Sequence, residues 1–407
     1  MEDQRPLRIL TLDGGGLQAL ATLTVLKETC KAIAKQNGAV RPPAPHELFD
    51  IIGGVGTGGW IALLLGRYRL DIATCMAVYM EIARDVEMAT NATSFSSQRK
   101  RLFKLDQDGL TTVVQGVLER YDLDPSLLGS NNEQETDIQH TSSRCKYAFA
   151  VGVVQRTNNQ KMGFQLFRSY TLHGSGQAGL RAGPAHERWK LPEVFAATGA
   201  AKFFLDPYKV GNTVFFDDTF PQSHPITLIG LDEAFAIYGK DVPISVLLNI
   251  GPGIPSERDR LELEEMSTSS MTRLARKFSW PPKGRHLSRI GRLLSNTSDG
   301  QGTTPPARDE ESTHSRSSLT VLKLEGQRRD DIKQRLKELY GESGPDRYHH
   351  LGPEYSDDKA SLNDVHALCR AWRSNSNRQP ELNELRLAIQ AEAESMVEQH
   401  WVGAAAA

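Results

Sequence analysis

The stretch from Leu48 to Leu65 constrains the fold more than any other part of the chain. It runs from apolar, β-branched residues through a cluster of glycines into strong helix formers, which predicts a buried strand, a tight turn and a buried helix. The turn, Gly54-Val55-Gly56-Thr57-Gly58, has the frame of G-x-S-x-G, the nucleophile elbow that presents a serine between a strand and a helix. Gly56 occupies the position of the serine. The sequence therefore predicts an elbow without a nucleophile.

A similar arrangement of strand, glycine turn and helix precedes the elbow. Residues 7–13 predict a strand, Gly14, Gly15 and Gly16 follow it, and residues 17–34 have helical periodicity. A glycine turn that opens a helix leaves backbone N–H groups directed at one point, and such groups suit a phosphate or an oxyanion. A plain tight turn without a ligand is the alternative, and this segment alone does not decide between them. The two glycine turns are expected to face each other at one edge of a sheet.

Strands and helices continue to alternate beyond the elbow. Strands are predicted at 147–154, 164–170, 214–216 and 244–250, and helices at 70–86, 110–121 and 191–204. This alternation predicts an α/β sheet with helices on both faces, in one domain over residues 1–280. The polar residues 87–145 are expected to form a solvated excursion from it. Residues 281–318 have no periodicity and predict a disordered linker or insertion, followed by a helical part at 319–407.

Composition and charge exclude several classes of partner and cofactor. The 407 residues carry a formal net charge of -2, and no basic stripe interleaved with aromatic residues is present, so a nucleic acid partner is not expected. The four cysteines are scattered, which predicts neither a metal site nor a disulfide framework, and no cofactor is expected. The polar start and the lack of a run approaching ~20 apolar residues predict a soluble, cytoplasmic protein.

The order of these motifs carries a family resemblance. A strand that runs into Asp13-Gly14-Gly15-Gly16, then the elbow frame, then Asp217, resembles the patatin-like phospholipases and looks closest to their fungal branch. The resemblance implies a three-layer α/β/α sandwich with a mainly parallel central sheet. It also implies acyl hydrolysis in which a serine attacks an ester, an aspartate acts as its base and a glycine loop forms the oxyanion hole.

The family roles can be assigned to this chain position by position. The resemblance places the oxyanion hole at Gly14, Gly15 and Gly16, and the base of the dyad at Asp217. It places the nucleophile at Gly56, inside an elbow completed by Gly54, Thr57 and Gly58. The other two motifs are also altered, because Gln18-Ala19 replaces the usual Arg-Gly and Asp218-Thr219 replaces the Gly-Gly or Gly-Ala that follows the aspartate.

These changes favour a pseudoenzyme of lipid metabolism. Such a protein would bind a lipid or fatty acyl ligand, contact a membrane surface or bind an unidentified protein partner. The alternative is an active acyl hydrolase of the phospholipase A2 type with unorthodox chemistry, for which Thr57 is the nearest hydroxyl. Because the serine is absent, Asp217 has an alternative role as an acidic residue at a strand end that caps a turn.

Two further hypotheses concern what the elbow region binds. Gly54 to Gly59 also matches G-x-G-x-x-G, so a nucleotide-binding protein is a minor alternative, but the nearest acidic residue at a suitable spacing, Asp71, is predicted to begin a helix. Six apolar residues near the elbow could line an acyl cleft or could be ordinary core: Trp60, Ile61, Leu63, Leu64, Phe203 and Phe204.

Overall fold

The structure is a computed structural model, and it describes residues 5–16, 19–92, 107–126, 128, 144–156, 162–172, 189–200, 207–216, 225–251, 253 and 328–352. Residues 1–256 and 331–407 form one compact unit, and residues 257–330 form a second. Nearly all of the described residues belong to the first unit. The predicted linker at 281–318 and most of the helical part at 319–407 lie outside the described residues, so the predicted domain boundaries stay predictions.

The described residues alternate between strands and helices, as the sequence predicts. In chain order they are β1 (Leu7–Leu12), α1 (Ala19–Gln36), α2 (Pro45–Leu48), β2 (Ile51–Val55), α3 (Thr57–Gly66), α4 (Ile72–Ala92), α5 (Gln107–Arg120), β3 (Tyr147–Arg156), β4 (Met162–Arg168), α6 (Leu191–Thr198), β5 (Tyr208–Val210), β6 (Thr213–Phe216), α7 (Ile226–Tyr238), β7 (Ile244–Ile250), α8 (328–340) and β8 (Tyr348–Leu351).

The eight strands in the described part of the chain form one mixed sheet. Hydrogen bonding connects them in the order β5-β6-β3-β2-β1-β7-β8, and β4 pairs with β3. Strands β3, β2, β1, β7 and β8 run parallel to their neighbours in that order, whereas β4 and β6 are antiparallel to β3. The central sheet is therefore mainly parallel.

Helices cover both faces of this sheet. Side chains alternate along a strand, so Leu10 and Leu12 of β1 pack in one hydrophobic cluster and Leu7 and Ile9 in another. The first cluster holds the buried sides of α1, α3, α4, α5 and α6, and the second holds those of α7 and α8. This confirms the predicted three-layer α/β/α sandwich.

One part of the predicted solvated excursion at 87–145 belongs to the core. Within that region α5 is amphipathic, and its Leu110, Val114 and Leu118 are buried in the same cluster as the elbow helix α3. The many polar residues around α5 conceal its apolar stripe, which repeats at helical spacing. The prediction of a wholly solvated excursion is therefore wrong for this helix.

Candidate active site

The glycine loop after β1 and the elbow after β2 lie side by side. Strands β1 and β2 are parallel neighbours, with Leu12 opposite Gly54, so their carboxyl ends meet at one edge of the sheet. A Cβ added to Gly58 would lie 2.5 Å from the carbonyl oxygens of both Leu12 and Asp13. The first turn of α3 thus rests directly on the backbone at the end of β1, and only glycine fits there. The predicted meeting of the two turns is confirmed.

Gly56 has the backbone of an elbow tip. It lies between β2 and the first residue of α3, with φ +58° and ψ -133°. Side chains rarely adopt this region, and a nucleophile elbow holds its serine on such a strained turn. Glycine adopts it without a Cβ penalty and offers no hydroxyl. The tip of the turn therefore has the shape of an elbow without its nucleophile.

The hydroxyl of Thr57 is directed at the glycine loop. Its Oγ1 accepts hydrogen bonds from the backbone N–H groups of Gly16, at 2.9 Å, and Gly15, at 3.2 Å, and the residue is only 6% exposed. These are two of the donors that the family resemblance assigns to the oxyanion hole. A nucleophile cannot hold the donors that must stabilise the oxyanion it creates, so this geometry disfavours Thr57 as a nucleophile.

Tyr79 of α4 holds the glycine loop from another side. Its hydroxyl donates to the carbonyl oxygen of Gly16 at 2.6 Å, and its ring lies 6.1 Å from that of Trp60 in α3. The sequence did not identify Tyr79 as part of the site. Its only signal is a polar atom on a tyrosine within the apolar stripe of α4, and that signal does not name a partner 63 residues away.

The register of the sheet places the carboxyl end of β6 next to the elbow. Strand β4 pairs with β3 over Phe149 to Gln155, whereas β2 pairs with its first half and β6 with its second half. Since β4 occupies one edge of β3, strands β2 and β6 must share the other edge. They meet there end to end, with Val55 level with Val151 and Phe216 level with Val153. Two residues of a strand correspond to about 7 Å.

Asp217 is the next residue in the sequence after Phe216, but it lies outside the described residues. Gln18, Asp218 and Thr219 of the altered motifs lie outside them as well. The structure therefore brings together Gly14, Gly15 and Gly16 with Gly56 and Thr57. The role of Asp217 as base stays a prediction, which the end-to-end arrangement of β2 and β6 supports.

Comparison with known proteins agrees with this geometry. A family model described as patatin-like phospholipase matches residues 10–217, just over half of the chain. The chain belongs to the patatin-like phospholipase family. The matched residues run from β1, through the glycine loop and the elbow, to the residue that follows β6, so they include every residue to which the resemblance assigns a catalytic or oxyanion-hole role.

The curated relatives are much longer proteins. Phospholipase A I of Arabidopsis thaliana is 28% identical over 290 residues, which cover 62% of this chain and 21% of the plant protein. Calcium-independent phospholipase A2-gamma is 22% identical over 285 residues in both Oryctolagus cuniculus and Homo sapiens, covering 68% of this chain and 31% of each relative. This patatin-like chain thus spans between a fifth and a third of the length of these relatives.

The apolar residues of the elbow helix belong to the core. Trp60, Ile61, Leu63 and Leu64 are all buried in the cluster on the α1 face of the sheet. Trp60 stacks on Phe195 at 5.3 Å between ring centroids, and its Nε1 donates to the carbonyl oxygen of Phe195 at 2.9 Å. For these four residues the core alternative is confirmed. Phe203 and Phe204 lie outside the described residues.

The structure gives little support to a nucleotide site at Asp71 or to a reactive cysteine. Asp71 caps α4, because its Oδ1 accepts hydrogen bonds from the backbone N–H groups of Ala73, at 2.9 Å, and Thr74, at 3.0 Å. The capping prediction is therefore confirmed, and the carboxylate is used in the cap rather than at the end of a second strand, where a nucleotide site requires it. Burial raises the pKa of the thiols of Cys30 and Cys145 to about 12, which makes them poor nucleophiles.

The described residues contain neither a metal-ligand cluster nor a membrane-spanning helix. Within the ranges that the structure describes, no three histidine, cysteine, aspartate or glutamate side chains cluster as metal ligands. Among the helices of those same ranges, none combines the length and the apolar character required to cross a bilayer.

Proposed function

We propose that this chain is a patatin-fold pseudoenzyme that binds a lipid or fatty acyl ligand and has lost ester hydrolysis by the serine mechanism. One observation carries the proposal: Gly56 has the strained backbone of the elbow tip, with φ +58°, and brings no hydroxyl to it. Removing the nucleophile of a serine hydrolase costs on the order of 10⁶ in kcat. The curated relatives are named as phospholipases, which supports a lipid as the ligand.

The scaffold around the missing serine supports retained binding. The glycine loop lies against the elbow, Thr57 and Tyr79 hold it by hydrogen bonds, and β6 ends at the elbow on the shared edge of β3. We assign Asp217 to the base position of the dyad on this basis. The place in the fungal branch, the cytoplasmic location and contact with a membrane surface belong to the same proposal and rest on the sequence alone.

An esterase assay on the purified chain tests the loss of activity. We expect no hydrolysis of p-nitrophenyl butyrate above the rate of Asp217→Ala, and no labelling of the elbow by a fluorophosphonate probe. Stoichiometric labelling at Thr57 mapped by mass spectrometry would contradict the proposal. A rate that disappears in Asp217→Ala would instead support the alternative, an acyl hydrolase with unorthodox chemistry.

A binding assay tests the retained function. We expect the chain to bind fatty acids or phospholipids in native mass spectrometry and in displacement of a fluorescent fatty acid. If neither method detects a lipid on correctly folded protein, the ligand-binding part of the proposal is wrong, whatever the esterase assay shows.

A further inference from the structure

Two backbone donors of the glycine loop already have an acceptor within the chain. The N–H groups of Gly15 and Gly16 converge on Oγ1 of Thr57, at 3.2 and 2.9 Å. The loop is partly exposed, whereas Thr57 is buried and is the first residue of α3. A buried side chain of the elbow therefore occupies, from within the fold, the point on which these donors converge.

Contacts on both sides of the loop keep it against Thr57. After the loop donors, the buried Tyr79 donates its hydroxyl hydrogen to the carbonyl oxygen of Gly16 at 2.6 Å. Before them, Gly14 lies against the elbow, because a Cβ added there would be 3.1 Å from the carbonyl oxygen at the end of β2. The start of α3 is also fixed, since a Cβ on Gly58 would lie 2.5 Å from two carbonyl oxygens at the end of β1. The hydroxyl and its two donors are thus held together by the surrounding backbone and by Tyr79.

This occupancy removes the advantage that an ester carbonyl would gain at the loop. A lipid whose carbonyl oxygen accepted from Gly15 and Gly16 would first have to displace the hydroxyl of Thr57. The exchange replaces one neutral acceptor with another, and neutral hydrogen bonds have similar net strengths. The displaced hydroxyl would in addition stay buried without these two donors, which is unfavourable. An ester lipid therefore gains little from its carbonyl group at this loop.

A developing oxyanion would compete more strongly with Thr57. Hydrogen bonds to an ionised acceptor are about twice as strong as those to a neutral one, so a tetrahedral intermediate could take the loop donors. Such an intermediate requires a nucleophile at the tip of the elbow, and Gly56 provides none. In this chain the competitor does not arise, and the hydroxyl of Thr57 keeps the donors.

We propose that Thr57 fills the oxyanion hole of this chain, so that lipids are held by their hydrocarbon chains and not by their ester carbonyl groups. Ester lipids and ether lipids of the same chain length are then equivalent ligands at the loop. Thr57 is the residue that determines whether the ester is recognised. This inference rests on the proposed lipid binding and deepens it, because it names the part of the lipid that the site does not recognise.

Two short-chain phosphatidylcholines that differ only in their linkage test the inference. Dihexanoyl phosphatidylcholine has two ester carbonyl groups, and its dihexyl ether analogue has none. The ratio of their dissociation constants, from displacement of a fluorescent fatty acid, measures what the carbonyl groups contribute. Thr57→Ala frees the two N–H groups and vacates the volume of the hydroxyl. We therefore expect the preference for the ester to rise roughly three- to ten-fold above that of the parent chain, as one net hydrogen bond provides.

Two other variants at this position are the controls. Thr57→Ser keeps the hydroxyl and should keep the parent ratio. Thr57→Val removes the hydroxyl but leaves a methyl group in its place, which blocks the donors, so its ratio should also match that of the parent. Thr57→Val and Thr57→Ala lose the same hydrogen bonds. A gain in Thr57→Ala alone therefore identifies access to the donors, and not loss of stability, as the cause.

Hydrogen–deuterium exchange resolved to single residues tests the occupancy without a ligand. We expect the Gly15 and Gly16 amides of the parent chain to exchange at least about ten-fold more slowly than solvated glycine amides, because they are hydrogen-bonded. Exchange should be faster in Thr57→Val. Exchange at the rate of a solvated glycine in the folded parent would refute the occupancy, and this measurement decides the question if Thr57→Ala does not fold.

The outcomes separate this inference from the proposed function. If neither lipid binds the parent chain, the proposed lipid function is wrong, and the exchange measurement alone decides whether Thr57 fills the hole. If both lipids bind but the ester preference in Thr57→Ala is no higher than in Thr57→Val, the inference is wrong and lipid binding stands.

Discussion

Restoring a serine at position 56 tests both the elbow geometry and the proposed loss of activity. Gly56 has φ +58° and ψ -133°, a region in which a residue with a side chain is strained by about 1–3 kcal/mol. Gly56→Ser should therefore lower the free energy of unfolding by about 1–3 kcal/mol in urea denaturation. Gly56→Ala is the matched control, because it carries the same strain without a hydroxyl.

The serine variant should also regain some hydrolysis. The new hydroxyl would lie at the tip of the elbow, beside the glycine loop and facing the end of β6, which Asp217 follows. A correctly positioned general base increases the reaction rate by on the order of 10²-fold or more. We therefore expect Gly56→Ser to hydrolyse the ester on the order of 10²-fold faster than the parent chain, and far more slowly than an enzyme with an intact dyad. Asp218 places a second carboxylate next to the base, and Asp218→Gly should increase the rate because it removes this like charge.

Initial rates on p-nitrophenyl butyrate measure this outcome, with circular dichroism to confirm folding. Gly56→Ser must exceed Gly56→Ala, and adding Asp217→Ala must abolish the difference. If the folded serine variant and its Asp218→Gly derivative hydrolyse the ester no faster than Gly56→Ala, the glycine loop and the base position no longer support catalysis either. If Gly56→Ala is as stable as the parent, the strained conformation assigned to the elbow is wrong.

Three further predictions concern the stability and reactivity of the fold. Thr57→Val should destabilise the chain by about 1–3 kcal/mol in urea, because two loop N–H groups lose their acceptor, whereas Thr57→Ser should not. Glu233, which is 0% exposed, pairs with Arg168 at 2.5 and 2.6 Å and accepts a hydrogen bond from the hydroxyl of Tyr170 at 2.6 Å, so Glu233→Ala should cost about 3–5 kcal/mol. The apolar replacement of all three partners, Arg168→Met, Glu233→Leu and Tyr170→Phe, should cost much less in the same assay. Finally, no more than one of the four cysteines should react with a thiol reagent at pH 8 in the native chain, because three are buried; reaction of two or more would contradict the packing.

Local sequence patterns predicted the elements that form because apolar residues or glycines lie close together in the sequence. The run from Ile244 to Ile250 has the same bounds in the structure as in the prediction, because a mainly apolar run with three β-branched residues, bounded by turn residues, suits a buried parallel strand. The elbow was predictable for a similar reason, since the glycines that its close contacts require are adjacent in the sequence.

Non-local partners explain what the sequence did not predict. Strand β8 contains two histidines in four residues and becomes a strand by pairing with β7 about 100 residues earlier, so no local apolar signal exists for it. Helix α7 buries Glu233 against an arginine 65 residues away, and an isolated glutamate does not indicate that it is buried. A third non-local contact joins Oδ1 of Asn249 in β7 to Nδ1 of His350 in β8, which lie 2.6 Å apart although the residues are 101 positions apart in the sequence. Each of these features depends on the order of strands in the sheet.

The close contacts of the elbow also explain why its glycine frame can persist without activity. Gly58 is required where α3 meets the carbonyl oxygens of Leu12 and Asp13, and Gly54 is crowded by the backbone of Gly58, so both are demanded by packing alone. Packing does not require a hydroxyl at position 56, and glycine there avoids the backbone strain that a serine would have. Loss of the serine is therefore locally stabilising, whereas loss of either flanking glycine would damage the sheet. The G-x-x-x-G frame is evidence for the fold, and the residue at its centre is evidence for the chemistry.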